Sequence, residues 1–166
     1  AEEPRLEEEA VQARPGAELD WLPYEEVPEA QRNRRCRLCD GRYADPQKGK
    51  ARQNPDSSPI EATAERTEME GTKVHLTGGV EVIQGYRELS SDSATIDREE
   101  RSGTLEGNIM VREPGILLRG DRGEFYSETG EAQLENSRFV LHEYHLRGDA
   151  RLLSRDAQEL IHVRDG

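Results

Sequence analysis

The chain has 166 residues, enough for one domain, with only 33% hydrophobic and 5% aromatic residues against 35% charged residues. Its net charge of −12 and pI of about 4.9 argue against nucleic acid as a partner, because such binding relies on Lys and Arg to neutralise phosphates. No apolar run in the sequence approaches the roughly 18 residues of a membrane-spanning helix.

The part of the chain up to Pro59 differs in composition from the rest. Seven of the eight prolines lie at or before Pro59, whereas twelve of the fifteen glycines lie at or after Gly71. This shift predicts three regions: a flexible segment over residues 1–19, an extended segment over residues 20–59 that wraps the following domain, and a domain over residues 60–166. Trp21 and Tyr24 are the expected anchors of the extended segment. The chain is interpreted as an excised part of a longer protein.

A basic stretch lies inside the extended segment. Residues 32–52 hold eight Arg and Lys residues against two Asp residues, in a chain that is acidic overall. The simplest interpretation is a solvated basic loop. The alternative is a contact for phosphate or for an acidic partner surface, although no aromatic residues are interleaved as in nucleic-acid-binding segments.

Cys36 and Cys39 form a CxxC pair within this stretch. A thioredoxin-like redox pair requires a βαβ setting, which the pattern does not offer. A zinc site requires further ligands, and His142 and His145, three apart on a strand, point to opposite faces. The sequence therefore favours a structural disulfide, either within the pair or to a cysteine elsewhere, and predicts no metal site and no cofactor.

From about residue 60 onward the sequence repeats itself at a fixed interval. Leu76, Leu105 and Leu134 begin similar phrases at steps of 29, and Asp92, Asp121 and Asp149 recur half a period away with steps of 29 and 28. A fixed period in this range indicates stacked units that cannot bury their apolar faces alone. A residue that recurs once per unit is typical of a structural device, so the aspartates are interpreted as bend residues and not as catalytic acids.

Each unit contains two short runs in which apolar and polar residues alternate, which predicts half-buried strands. The second residue after each anchor leucine is Gly78, Gly107 or Asn136, so a bend or bulge is expected at that point in every unit. The fold class predicted is all-β: an open β-jelly roll, or V-shaped two-sheet sandwich, in which each sheet grows by one strand per repeat. A right-handed parallel β-solenoid is the alternative.

Side chains of one parity in successive units are expected to line an apolar groove that a ligand could fill. The sequence carries no nucleophile elbow, phosphate-binding loop, HExxH or dinucleotide motif, so no enzyme and no catalytic residue is predicted. The predicted groove-lining residues are Val74, Leu76, Val82, Ile96, Leu105, Ile109, Val111, Phe125, Leu134, Val140 and Leu153.

Several phrases together resemble a known family. These are Asp20-Trp-Leu-Pro23, Cys39-Asp-Gly-Arg-Tyr-Ala-Asp-Pro46, and the repeats built on Leu76-Thr-Gly-Gly-Val-Glu-Val82 and Leu105-Glu-Gly-Asn-Ile-Met-Val111. Over about residues 20–166 the chain resembles the N-terminal periplasmic domain of the lipopolysaccharide-assembly outer-membrane proteins, the OstA or LptD family. The repeats alone would equally fit the family's soluble bridge proteins.

The resemblance implies a lipid conduit at the periplasmic face of the outer membrane of a Gram-negative cell. Lipopolysaccharide would arrive from a periplasmic bridge protein of the same jelly-roll family, joined by edge-strand pairing, and its lipid A acyl chains would pass toward the chain's own C-terminal β-barrel with its lipoprotein plug. The resemblance also implies disulfides to that barrel: Cys39 matches the family pattern, whereas Cys36 departs from it. A purely structural β-sandwich or β-solenoid interaction module with a filled core is the alternative function.

Overall fold

The computed structural model describes residues 16–32, 39–50 and 53–166, and its contacts divide the chain into two units, Ala1–Ala44 and Asp45–Gly166. Within the described residues, no helix is long and apolar enough to cross a membrane. The predicted boundaries after residues 19 and 59 stay predictions.

The first unit is a small arrangement of short elements around one aromatic pair. Trp21 and Tyr43 are register partners on two antiparallel strands, and their rings meet edge to face with centroids 5.0 Å apart. Gly41 leaves room for this contact, because a Cβ there would lie 2.7 Å from the Trp21 indole. The elements are strands β1 (Trp21–Pro23) and β2 (Gly41–Tyr43) and the 3₁₀ helices Ala17–Leu19, Tyr24–Glu26 and Glu29–Gln31.

The second unit is one antiparallel sheet, preceded by the 3₁₀ turn Pro55–Ser57. Its strands are β3 (Glu61–Thr63), β4 (Arg66–Glu70), β5 (Lys73–Gln84), β6 (Arg87–Asp97), β7 (Ser102–Glu113), β8 (Ile116–Tyr126), β9 (Ala132–Leu141), β10 (Leu146–Arg155) and β11 (Ile161–Arg164). The strand order is β11-β10-β9-β8-β7-β6-β5-β3, and β4 also pairs with β5. The all-β prediction is confirmed, and the parallel solenoid is wrong, because every pairing is antiparallel.

Bends recur in the long strands where the sequence predicts them. Gly78, Gly107 and Asn136 have φ angles of 82°, 77° and 49°, and the pairing register shifts beside the first two of them. Positive φ is cheap for Gly and tolerable for Asn, which explains why these residue types occupy the positions. The predicted recurrence of a bend is therefore confirmed.

The bends divide the sheet into two arms. Arm one contains β4, β11 and the strand segments that lie between them in the sheet, such as Lys73–Thr77 of β5. Arm two contains β3 and the strand segments on its side of the bends, such as Val80–Gln84 of β5. Each long strand crosses from one arm to the other. The expectation that each sheet gains one strand per repeat is therefore wrong: each repeat adds two bent strands, and both strands contribute to both arms.

Candidate functional site: an apolar groove

The inward faces of the two arms share one apolar cluster, and burial falls with distance from the bend. At the bend, Val80 and Ile109 are 1% and 0% exposed. In the next row of arm one, Leu105 and Leu134 are 7% and 8% exposed. The outermost side chains are only half-buried, namely Val74, Ile96 and Phe125 of arm one and Val82, Leu89, Val111 and Leu118 of arm two.

This gradient describes a cleft that is closed at the bend and opens toward the free ends of the arms. We call the inward-facing apolar surface of both arms the groove. The alternate side chains of each strand point the other way; for example, Met110 and Glu81 alternate with Val111 and Val82 along their strands. A groove of this kind offers dispersion and hydrophobic contact to an apolar ligand.

The structure brings ten of the eleven predicted lining residues into this one cluster. Val140 is the exception. It is the register partner of Leu117, and its neighbour Phe139 is the partner of Leu118, which belongs to the cluster. Val140 therefore lies on the opposite face of the sheet, where both it and Leu117 are 0% exposed, and its prediction as a groove residue is wrong.

The physical cause is the number of residues at each bend. In β7 two residues, Gly107 and Asn108, separate the paired segments, so inward positions keep the same parity on both sides. In the pairing of β9 with β10, the single residue Asn136 separates the paired segments of β9, so parity changes there. Counting every second residue from Leu134 past Asn136 therefore leads to Val140, which lies on the outward face.

The same change of parity at a bend explains why the sequence analysis did not identify two further groove residues. Leu89 and Leu118 pack against the cluster from arm two, but they lie beyond the bends of β6 and β8 at Asp92 and Asp121. Their spacing along the chain, a step of 29, is a signal that could have found them, since it equals the repeat period.

The recurring aspartates hold the bends together. Asp92 accepts a hydrogen bond from the side-chain amide of Asn108 (2.9 Å), and Asp121 accepts one from Asn136 (3.0 Å). Each bond joins one strand to the next at the bend. The interpretation of these two aspartates as structural bend residues is confirmed, although the bond crosses between strands and is not a local Asx turn.

The free ends of the arms form two lips of different charge. Lip one, at the end of arm one, consists of the turns at residues 71–72, 98–101, 127–131 and 156–160. Lip two, at the end of arm two, consists of the turns at residues 85–86, 114–115 and 142–145. The sequence places several carboxylates in the turns of lip one, namely Glu99, Glu100, Glu128, Glu131, Asp156 and Glu159.

Two carboxylates near lip one have lowered pKa values. The backbone N–H of Glu100 is the main cause for Asp97, whose pKa lies below the usual 3.8. For Asp156 the main cause is His162, whose ring nitrogen lies 2.7 Å from the carboxylate, and the backbone N–H of Leu160 adds to it. Both groups are half-buried and accept the backbone hydrogen bonds that hold their turns.

The cysteines lie apart from the groove-forming strands in the sequence. Cys39 is exposed and precedes β2, whereas Cys36 lies outside the described residues. The predicted disulfide role of the pair stays a prediction. Among the described residues, no group of three or more His, Cys, Asp or Glu side chains could hold a metal ion.

Comparison with known proteins gives two kinds of match. The family model described as "LptA/(LptD N-terminal domain) LPS transport protein" matches residues 59–159. LPS-assembly protein LptD from Pseudomonas putida strain W619 is 35% identical over 152 residues, covering 89% of this chain and 16% of the relative, and the protein of that name from Pseudomonas fluorescens strain Pf-5 is 34% identical with the same coverage. The chain thus spans about a sixth of the length of these relatives.

A solved structure shows the same fold. The crystal structure of LptH, the LptA-homologous periplasmic component of the lipopolysaccharide transport device from Pseudomonas aeruginosa, matches with a TM-score of 0.55 at 14% identity. The match covers 64% of this chain and 82% of LptH. At this identity the likeness concerns the fold alone, and it agrees with the open β-jelly roll described above.

Proposed function

Because this chain belongs to the lipopolysaccharide-transport family of LptA and the LptD N-terminal domain, we propose that it is a conduit module for lipopolysaccharide. In this proposal it receives lipopolysaccharide from a periplasmic bridge protein and passes the acyl chains toward an outer-membrane β-barrel. It would work at the periplasmic face of the outer membrane of a Gram-negative cell. Its contribution would be binding and guidance, without a chemical step.

The observation that carries the proposal is the continuity of the groove. In arm one, inward apolar side chains follow one another from Val74 and Leu76 on β5 to Leu153 on β10, so a chain-like apolar ligand would meet an apolar side chain on each of six strands. Burial of each CH₂ group stabilises by roughly 0.8 kcal/mol, so an acyl chain of about a dozen carbons would gain on the order of 10 kcal/mol over water. Transfer between two such grooves would be nearly isoenergetic.

The two edges of the sheet support the proposed partners. At one edge, β3 and β4 are short and fully exposed. At the other edge, β11 pairs only with Leu152–Arg155 of β10, so Leu146–Ala150 have no strand on that side within the described residues. Such edges favour β-augmentation by a bridge protein of the same fold. The remaining proposed partners are the chain's own C-terminal barrel and its lipoprotein plug.

One observation favours the alternative of a purely structural module. Side chains of both arms, such as Leu76 and Leu89, belong to the same cluster, so the arms already contact each other near the bend. A ligand would have to occupy the half-buried outer rows or separate the arms. An experiment must therefore distinguish a groove that admits lipid from a core that excludes it.

Site-specific photo-crosslinking makes this distinction. A photoreactive phenylalanine analogue at Val111 or Val82 should capture lipopolysaccharide, whereas the same analogue at the adjacent outward positions, Met110 or Glu81, should not. The pairs are matched because each differs by one residue along the same strand. Absence of crosslinks at all four positions would favour the filled core, and equal crosslinking on both faces would indicate nonspecific adhesion; either result would contradict the conduit.

A further inference from the structure

A basic loop lies on lip two, beside the opening of the groove. We define the basic loop as residues 47–50. Gln47, at its start, donates a hydrogen bond from its side-chain amide to the Tyr86 carbonyl in the β5–β6 turn (3.3 Å). The Tyr86 N–H donates to the carbonyl of Gln53, which follows the loop along the chain (3.0 Å). These described residues on both sides of the loop are therefore tied to this turn.

Close packing against Gly85 and a buried carboxylate hold the basic loop in place. A Cβ at Gly85 would collide with the Gln53 carbonyl, so glycine is needed for the close approach. Just before the loop, Asp45 is 5% exposed and accepts hydrogen bonds from the N–H groups of Gln47 and Gly115, each at 2.8 Å. This carboxylate joins the loop to the second turn of lip two.

The loop presents two cations without partners. Lys48 and Lys50 are exposed, and no hydrogen bond or ion pair engages their side chains within the part of the chain that the structure describes. Of the carboxylates near the loop, Glu113 is engaged by Arg87 at 2.7 Å and Asp45 by the backbone donors above, whereas Glu143 in lip two is exposed. Two ammonium groups thus lie beside this opening on a chain of net charge −12.

The position of the loop suits the headgroup of an amphiphile. Val82 and Leu89 are register partners in the groove, three residues from either side of the turn that the loop covers. At about 3.3 Å per residue, the turn lies roughly 10 Å beyond these side chains. A lipid with its chains between the arms would bring its headgroup to lip two near Lys48 and Lys50, while the carboxylates of lip one would repel an anionic group.

We propose that the basic loop binds the phosphate groups of an amphiphile whose acyl chains lie in the groove. The proposal rests on the conduit function and adds an orientation to it: the anionic headgroup is held at lip two, on the side of β5 and β6. Lys ammonium groups bind phosphate as point charges. Of the two interpretations of the basic stretch given in the sequence analysis, contact with phosphate is therefore favoured over a solvated loop for Lys48 and Lys50.

The test compares two ligands and two variants of the intact chain. The ligands are bis-phosphorylated lipid A and the same lipid after both phosphates have been removed, and binding is measured by titration. The variant is Lys48→Gln with Lys50→Gln, and the control is Lys73→Gln, which removes an exposed lysine on β5 far from lip two. The unmodified chain should bind the phosphorylated lipid about three- to tenfold more tightly than the other lipid, as expected for two exposed charge contacts.

The double variant should lose this preference and keep its affinity for the dephosphorylated lipid, while the control should keep both. A preference that survives in the double variant would overturn the headgroup site and leave the conduit intact. Failure of the unmodified chain to bind either lipid would contradict the conduit, and the headgroup site with it. Inorganic phosphate alone should bind at least tenfold more weakly than phosphorylated lipid A; equal binding would identify a free-phosphate site instead.

Discussion

Replacement of Gly107 by alanine tests whether the bends are fixed by backbone conformation together with a carboxylate from the preceding strand. Gly107 has a φ of 77°, and a Cβ there would collide with the Oδ2 atom of Asp92. That same oxygen accepts the hydrogen bond from Asn108. The substitution should therefore both strain the backbone and displace the carboxylate that joins β6 to β7.

The expected magnitude has two parts. An L-residue in the left-handed region costs about 1–2 kcal/mol, offset by roughly 0.4–1 kcal/mol because alanine restricts the unfolded chain. Displacing the Asp92 carboxylate adds about 1–2 kcal/mol, since the hydrogen bond is charged but exposed. By the sum of these effects, Gly107→Ala should lower the free energy of unfolding by about 1–3.5 kcal/mol.

Gly130→Ala is the matched control. Gly130 also has a positive φ, 74°, but nothing lies within 4 Å of its would-be Cβ. It should cost only the net backbone strain, about 1 kcal/mol or less. Urea unfolding monitored by circular dichroism would measure both variants, alone and combined with Asp92→Ala.

The double-mutant cycle decides the outcome. If the Asp92 carboxylate causes the extra cost, Gly107→Ala in the Asp92→Ala background should cost no more than Gly130→Ala. Equal costs for Gly107→Ala and Gly130→Ala in the unmodified background would refute the role assigned to Asp92. An undiminished cost of Gly107→Ala after removal of the carboxylate would do the same.

Three further outcomes are expected. Ile109→Ala, at a fully buried bend position, should lower the free energy of unfolding by about 2–5 kcal/mol, whereas Ile96→Ala in the half-buried outer row should cost clearly less by the same urea measurement. Asp156→Asn should reduce the loss of melting temperature on acidification: the lowered pKa of Asp156 means that its contribution is present above the unfolded carboxyl value and lost as pH falls through the lower folded value. An unchanged acid profile would contradict that link. Serine substitution of the Cys36–Cys39 pair should leave the chain folded, and a large fall in melting temperature would show otherwise.

The fold could be predicted from the sequence because the same backbone conformation recurs in every repeat. The recurring step of 29, the alternation of Val74 and Leu76 with polar neighbours, and the glycines two positions after the anchor leucines are local features, and they predict bent strands directly. The length of the strands could not be predicted from the same features. Turn-like residues at Gly78 and Gly79 suggest an interruption, whereas in three dimensions β5 continues through them as one strand.

The groove was predicted in large part, and its errors have one origin. Alternation identifies a face only up to the next bend, because one added residue exchanges the two faces of a strand. Parity carried across such a bend selects Val140 wrongly, whereas Val111 lies beyond a bend of two residues and belongs to the cluster. The basic loop could not be located from sequence at all, since its position depends on hydrogen bonds between Gln47 and Tyr86, 39 residues apart.

The feature that recurs at each bend is a backbone conformation with positive φ, whereas the side chain differs from one bend to the next. Gly78, Gly107, Asn136 and Asp165 follow one another at steps of 29 along the chain, and all have positive φ, the last at 52°. The residue changes from Gly to Asn to Asp, yet each belongs to the few types that tolerate the left-handed region. The acidic partner persists as well: a Cβ at Gly78 would lie 2.6 Å from Glu65 Oε2, as one at Gly107 would collide with Asp92. Asp165 therefore shares the repeat position and the left-handed conformation of the bend residues, although its side chain differs from theirs.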